Sequence, residues 1–238
     1  MSESLALAWQ LLVQADATVM AVAWRSLQVS AWATLLACGL GAPLGAWLAL
    51  LRSRAKPVLA ALLGTYVAVP AVVVGLVAYL LLSRSGPLGF LGWLYSVKAM
   101  VLAQTLLVLP LAAMLAMQIV HQSQQVVGER LLSMGASLPW RVLLLLHHER
   151  RAWATVAITC FGRAIAEVGT VMMVGGNIEG FTRVLTTAVA LETSKGNLAM
   201  AMALGVVLLG LVLALQLVLL ALKAWPLGAT PSLRGPAA

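Results

Sequence analysis

Apolar positions along this chain do not alternate, and they do not return to one helical face. They run on unbroken, in five stretches at about 27–51, 58–82, 99–120, 152–174 and 198–222. About 20 apolar residues in a helix cross a hydrocarbon core of about 30 Å. Each stretch meets that length, and single cations stand at the edges: Arg25 and Arg52, Lys56 and Arg84, and Lys223 after the last. In lipid a segment must satisfy its own backbone, which a helix does internally. The pattern therefore predicts an all-α polytopic membrane protein with about five spans, at 25–223.

The lead-in, 1–24, is different. Asp16, Gln10 and Gln14 interrupt its apolar residues, and Trp9 and Trp24 flank it. It reads as an amphipathic helix at the membrane interface with tryptophan anchors, a sixth span being the alternative. The segment 224–238, rich in Pro and Gly, reads as a flexible cytoplasmic tail. The opening MSESLALAWQLL carries Glu3 and no basic n-region, so no cleavable signal peptide is expected.

Composition agrees with the membrane reading. Of 238 residues, 62% are hydrophobic and 9% charged, against about 45–50% and about 25% in soluble domains. The net charge of +8 is spread singly between apolar runs, without a basic stripe or interleaved aromatics, so nucleic acid is not an expected partner. The cations act instead as topology determinants. Nine Lys and Arg fall on the side of 52–56, 121–151 and the tail, and five on the other, as Arg25, Arg84, Lys98, Arg183 and Lys195. The positive-inside rule places the first side in the cytoplasm. The expectation is a multi-pass protein of the cell (inner) membrane, N-terminus outside and C-terminus cytoplasmic. Cys38 and Cys160 lie inside apolar runs, without metal or redox spacing, and read as small buried residues.

Gly41 and Gly45, with Pro43 between them, and Pro70 and Pro110 fall inside spans, where they allow close helix approach and kinks. The longest cytoplasmic loop, 121–151, is more specific. Glu129 to Met134 can form a helix that Gly135 ends in the left-handed conformation. Ser137 is placed to N-cap a second helix, with Pro139 tolerated in its first turn. WRVLLLL then lies against the spans. The product is a compact knob that fits a groove on another protein. His147, His148 and Glu149 read as a solvated helix end, since adjacent histidines on a helix cannot face one ion.

The fourth run carries charge. Arg163 and Glu167 are four apart, share a helix face and can pair. Unpaired at a helix centre, each would cost about 2.5–3.5 kcal/mol. Such groups face a bundle interior or a wet cavity, so the pair either pins helices or lies on a solute path. A simple pair would survive the reciprocal exchange Arg163→Glu with Glu167→Arg. Gly175, Gly176 and Asn177 end the helix. Thr182, Arg183, Thr186 and Thr187 follow near the outer mouth. Hydroxyls and a cation suit an oxyanion, although threonines there also serve simply to satisfy backbone groups.

These residues carry two resemblances. The loop Glu129, Gly135, Ala136, Ser137, Pro139, Trp140, Arg141 resembles the EAA loop of ABC importer permeases. It departs in having Arg130 and Leu131 for the alanines after the Glu, and no closing Leu-Pro. The stretch 161–197 is similar to the tungstate-type ABC importer permeases, relatives of the molybdate and sulfate permeases. It holds Phe161–Arg163, Glu167–Gly169, Gly175–Ile178, Thr182–Arg183, Thr186–Thr187, Leu191–Thr193 and Lys195–Gly196. The segment 24–50 resembles that group's first span.

The resemblance implies the type I importer permease fold and a transport subunit for an oxyanion, tungstate first, with molybdate or sulfate as alternatives. It implies a homodimer with the pathway at its interface, two ABC ATPase subunits that bind ATP and Mg, and an extracytoplasmic oxyanion-binding protein, all within membrane lipid. On that reading Glu129, Gly135, Ala136, Ser137 and Pro139 couple to the ATPase. Arg163, Glu167, Gly169, Gly175, Gly176, Asn177, Thr182, Arg183, Thr186 and Thr187 form the pathway or gate. No Gly-x4-Gly-Lys-Ser/Thr pattern occurs, so no cofactor is expected on this chain itself. An ATP-independent channel or carrier would leave the 128–151 knob without purpose. An intramembrane enzyme would need paired catalytic groups in spans, and Glu167 is the only acid well inside one.

Overall fold

The computed structural model of the chain describes residues 6, 9–10, 13 and 17–224. Among them there is helix and no strand. The elements are α1 (Ala17–Leu50), α2 (Lys56–Ala68), α3 (Ala71–Leu82), a 3₁₀ turn at Gly89–Leu91, α4 (Val97–Ser133), α5 (Leu138–His148), α6 (Arg150–Ile165), α7 (Gly169–Gly175), α8 (Leu185–Ser194) and α9 (Leu198–Ala224). Three helices are long and apolar enough to cross a membrane alone, and two bent pairs raise the number of spans to as many as five. The all-α polytopic class expected from the sequence is what the structure has.

The centre of the fold is the pair α1 and α4. Thr105 Oγ1 donates to the Ala33 carbonyl oxygen at 3.5 Å, while Gly41 lies against Ala112 and Gly45 against Ala113 and Ala116. Contacts that climb both sequences together mean that the helices are parallel, so α2 and α3 form the return crossing. The small-xxx-small spacing is what lets the backbones meet. A β-carbon at Gly41 would stand 2.9 Å from the Leu109 oxygen, and one at Gly45 would overlap the Ala113 carbonyl. α6 runs antiparallel to α4, with Ala37, Val108, Ala112, Val156, Cys160 and Ala164 buried between the three helices. Neither Pro43 nor Pro110 ends its helix.

Four boundaries differ from the sequence expectation. First, α1 begins at Ala17, so 17–24 continue directly into the first span. Val19, Val22 and Ala23 bury against Leu185, Ala188 and Leu204, which draws the helix into the bundle. Most of the expected interfacial segment, and the tail beyond Ala224, lie outside the described residues. Second, 58–82 is two helices, bent by 94°. Val69 and Pro70 are extended (ψ 131° and 133°), because proline removes a donor and drives the residue before it out of the helical region. Third, 152–174 is two helices bent by 62° at Ala166–Val168, a break built around Glu167. The third run, by contrast, extends unbroken to Ser133, well past the expected end at 120.

Candidate functional site

The two bends touch each other. Thr170 Oγ1 donates to the Ala71 carbonyl oxygen at 2.8 Å, joining the first turn of α7 to the first turn of α3. Gly75 and Gly169 permit this approach. A β-carbon on Gly75 would stand 2.8 Å from Thr170 Cα, and one on Gly169 would stand 2.7 Å from Val72 Cγ2.

Arg163 and Glu167 do pair, Nη1 to Oε2 at 2.7 Å. The pair bridges the break instead of lying along one straight helix. Arg163 sits in the last turn of α6, while Glu167 lies between α6 and α7. Its other oxygen, Oε1, accepts from the Thr170 backbone N–H at 3.1 Å and lies 3.3 Å from Thr170 Oγ1. The first N–H groups of a helix lack internal partners, and this carboxylate supplies one. Thr186 Oγ1 donates to the Glu167 carbonyl oxygen at 2.8 Å, and Gln104 Nε2 donates to the Ala164 carbonyl oxygen at 3.0 Å. The broken backbone is thus satisfied from α4, from α8 and from Glu167 itself.

Burial separates the two charges. The Glu167 side chain is 6% exposed and that of Arg163 43%. Thr159, one turn before Arg163 on the same face, is also exposed. It lines a cleft of 260 Å³ between α4 and α6, together with Thr155, Gln118 and Gln122. The rest of that lining is apolar, Thr159 Oγ1 itself donates to the Thr155 carbonyl oxygen at 2.9 Å, and the Arg163 guanidinium lies one turn further along α6.

The threonines after α7 are less available than their number suggests. Thr182 Oγ1 donates to the Gly175 carbonyl oxygen at 2.6 Å and accepts from Ile178 N–H at 2.9 Å. Thr187 Oγ1 accepts from Val184 N–H at 3.1 Å, and Asn177 Nδ2 donates to the Thr187 carbonyl oxygen at 3.4 Å. Gly176 and Asn177 take positive φ (68° and 50°) and close α7 as the sequence predicts. Gly175 packs against Met100.

The turn 180–183 is held by Arg25, whose Nη2 and Nη1 donate to the carbonyl oxygens of Gly180 (2.7 Å) and Arg183 (3.3 Å). Arg183 pairs with Glu179 at 3.4 Å. It shares a 150 Å³ cavity with Glu179, Glu192 and Lys195, so two acids match two bases in that lining. Lys195 donates to Glu192 at 3.0 Å and holds its carboxyl below the ordinary glutamate range. Asn177, Thr182 and Thr187 thus lie together beyond the end of α7. The threonine hydroxyls, however, are committed to backbone.

At the opposite end of the bundle, α4 carries Glu129 in its last turns and closes at Gly135 (φ 69°), with Ala136 N–H donating to the Leu131 carbonyl oxygen at 3.1 Å. That six-to-one bond is the left-handed closure expected of glycine. Ser137 is extended and precedes α5 but makes no side-chain cap, and Pro139 occupies the first turn. Arg141 and Leu145 are buried, while Met134, Trp140, Leu143 and Leu144 are exposed. Trp153 Nε1 donates to the Leu146 carbonyl oxygen at 2.8 Å and fixes α5 on α6. The knob is present, with an apolar outer face.

Sequence reasoning missed Thr170, Gln104, Gln118, Gln122, Thr155 and Thr159. The signal was available: each is a polar side chain within or beside an apolar run.

No protein-family model matches the chain. Individual proteins do. The chain is 38% identical over 222 residues, 93% of its length and 97% of the relative's, to the tungstate uptake system permease protein TupB of Peptoclostridium acidaminophilum. It is 39% identical to TupB of Campylobacter jejuni over 61% of each chain. Against the molybdenum transport system permease protein ModB of Azotobacter vinelandii the identity is 29%, over 69% of this chain and 76% of the relative. Identity at the first of these levels, across nearly the whole of both chains, joins the helical bundle and its membrane-length helices to one conclusion: this chain belongs to the ABC transporter permeases of the tungstate-uptake type, a multi-pass subunit of an ABC transporter.

Proposed function

We propose that the oxyanion moved is tungstate, carried inward past Arg163 and the cleft between α4 and α6. The observation that carries this reading is the half-exposed guanidinium inside a span, one turn from Thr159, which lines the cleft between α4 and α6. A cation that faces lipid is costly, and intramembrane charges mark water-filled paths. Arginine offers paired donors to a tetrahedral oxyanion, and the Gln118 and Gln122 amides add further donors. Glu167 stays buried and tied to Arg163 and Thr170, so it holds the cation without presenting its own charge to the anion.

On this reading the 128–151 end is cytoplasmic, and Ala17 lies at the outer side. Two ATPase subunits dock, one on the knob of each permease copy, around Glu129, Gly135, Ala136, Ser137 and Pro139, covering Trp140, Leu143 and Leu144. ATP and Mg belong to those subunits, and this chain contributes no nucleotide site. A second copy of the permease completes the pathway, and an extracytoplasmic binding protein delivers the anion. Closure of the ATPases moves the knob, and the bends at Pro70 and Glu167 are where rigid segments re-angle during alternating access.

The test is cellular tungsten and molybdenum by elemental mass spectrometry, with and without this chain, at trace oxyanion and excess sulfate. Tungsten lost on deletion and unaffected by sulfate is the expected result. Equal loss of both metals would make the carrier a shared one. No change in either, with the protein inserted, would overturn the substrate.

A further inference from the structure

Two adjoining cavities open where α1 ends and α2 begins, against the middle of α4. They share Ala49, Lys56 and His121. The first, of 300 Å³, adds Arg52, Gln124 and Gln125. The second, of 340 Å³, adds Pro57, Ala60, Met117 and Gln118, and is mostly apolar. One crevice thus has a cationic, amide-rich mouth and an apolar continuation along a membrane helix.

Among the described residues nothing neutralises the mouth. Between Asp16 and Glu129 the sequence contains no Asp or Glu. Among the described residues no carboxylate lines either cavity, and neither Arg52 nor Lys56 enters an ion pair. Lys56 Nζ donates to the Ala49 carbonyl oxygen at 2.6 Å, which fixes the ammonium at the rim and leaves two of its donors uncommitted. Depth fits as well. His121 lies 24 residues beyond Val97 in a continuous helix, about 36 Å along the axis. A hydrocarbon core of about 30 Å therefore ends close to it.

We propose that this crevice binds one anionic phospholipid. The phosphate headgroup sits among Arg52, Lys56, His121 and the Gln124 and Gln125 amides, and an acyl chain lies along Pro57, Ala60 and Met117. Basic pockets between membrane helices recognise anionic headgroups in this way. A free phosphate or tetrahedral oxyanion shares the headgroup's chemistry, but it has no use for the apolar half of the crevice, and that half decides for a lipid. The proposal uses only the chain's place in a membrane and is independent of which oxyanion is transported.

The experiment is native mass spectrometry of the intact transporter, after exchange into nanodiscs of phosphatidylcholine mixed with phosphatidylglycerol. The expected result is one phosphatidylglycerol retained per permease chain in preference to phosphatidylcholine. That preference should fall about fivefold for each cation removed in Arg52→Gln and Lys56→Gln. Ala60→Trp fills the apolar half with both cations intact and should also release the lipid. Inorganic phosphate should not compete. Equal retention of the two lipids in the wild type would overturn the proposal. So would a preference that survives the double substitution, full displacement by inorganic phosphate, or protection of the crevice by the ATPase in place of lipid.

Discussion

Replacing Glu167 by alanine removes two things at once: the partner of Arg163 and the acceptor for the Thr170 N–H. Leaving that N–H buried without a partner costs about 1–3 kcal/mol. Breaking a fully buried ion pair would add about 3–5 kcal/mol. The Arg163 side chain is 43% exposed, however, so solvent screens it and its share falls to about 1 kcal/mol. The total is about 2–4 kcal/mol, or roughly 4–16 °C in Tm for a chain of this size. Glu167→Gln keeps an oxygen for Thr170 and loses only the charge, about 1 kcal/mol or less. The reciprocal exchange of Arg163 and Glu167 keeps opposite charges four residues apart, but arginine at 167 has donors only. The structure thus reverses the expectation that the exchange rescues the pair: it should behave like Glu167→Ala. The assay is thermal unfolding of the four proteins in nanodiscs, with oxyanion uptake measured in parallel. If the exchange matches the wild type in both, Glu167 is a pairing residue alone, and its capping of α7 contributes nothing.

Three further outcomes follow from local geometry. Gly135→Leu should insert normally but lose uptake. Its φ of 69° costs a branched side chain about 1–2 kcal/mol, and the strain falls on the α4–α5 turn, so undiminished uptake would count against the knob as the coupling element. Gly45→Val should lower Tm sharply, because its β-carbon meets the Ala113 carbonyl and Ala116; overpacking costs about 1–3 kcal/mol, and an unchanged Tm would mean that α1 and α4 separate without penalty. The lowered Glu192 pKa stabilises the 192–197 turn above pH 4.5, the ordinary value, and that contribution is lost as the pH falls through the folded value. The protection of the Lys195–Leu198 amides, measured against their intrinsic exchange rate at each pH, should therefore fall in acid in the wild type and stay constant with pH in Glu192→Gln; identical protection profiles would dispose of the Lys195 contact as its cause.

Run length was enough to read the spans, because lipid sets a length that soluble proteins do not share, and it was enough to place Gly135 and Gly176 as helix ends, because positive φ selects glycine. The bends were not legible in the same way. The one at Val69–Pro70 has a local cause, yet uniform apolarity on both sides made 58–82 look continuous. The break at 166–168 has no proline at all. It exists because Glu167 takes over the Thr170 N–H while Thr170 reaches an Ala71 carbonyl 99 positions away, and Gly75 clears the space. No window of local sequence contains that arrangement. The same physics explains why counting hydroxyls after α7 says little about the chemistry there. Within a bilayer every interrupted backbone group needs a partner, so Thr182, Thr186 and Thr187 are committed to carbonyls and amides before any solute arrives. A polar residue in a span is therefore first to be read as completing the backbone. Only one that stays exposed after that completion, as Arg163 does, has chemistry left for a ligand.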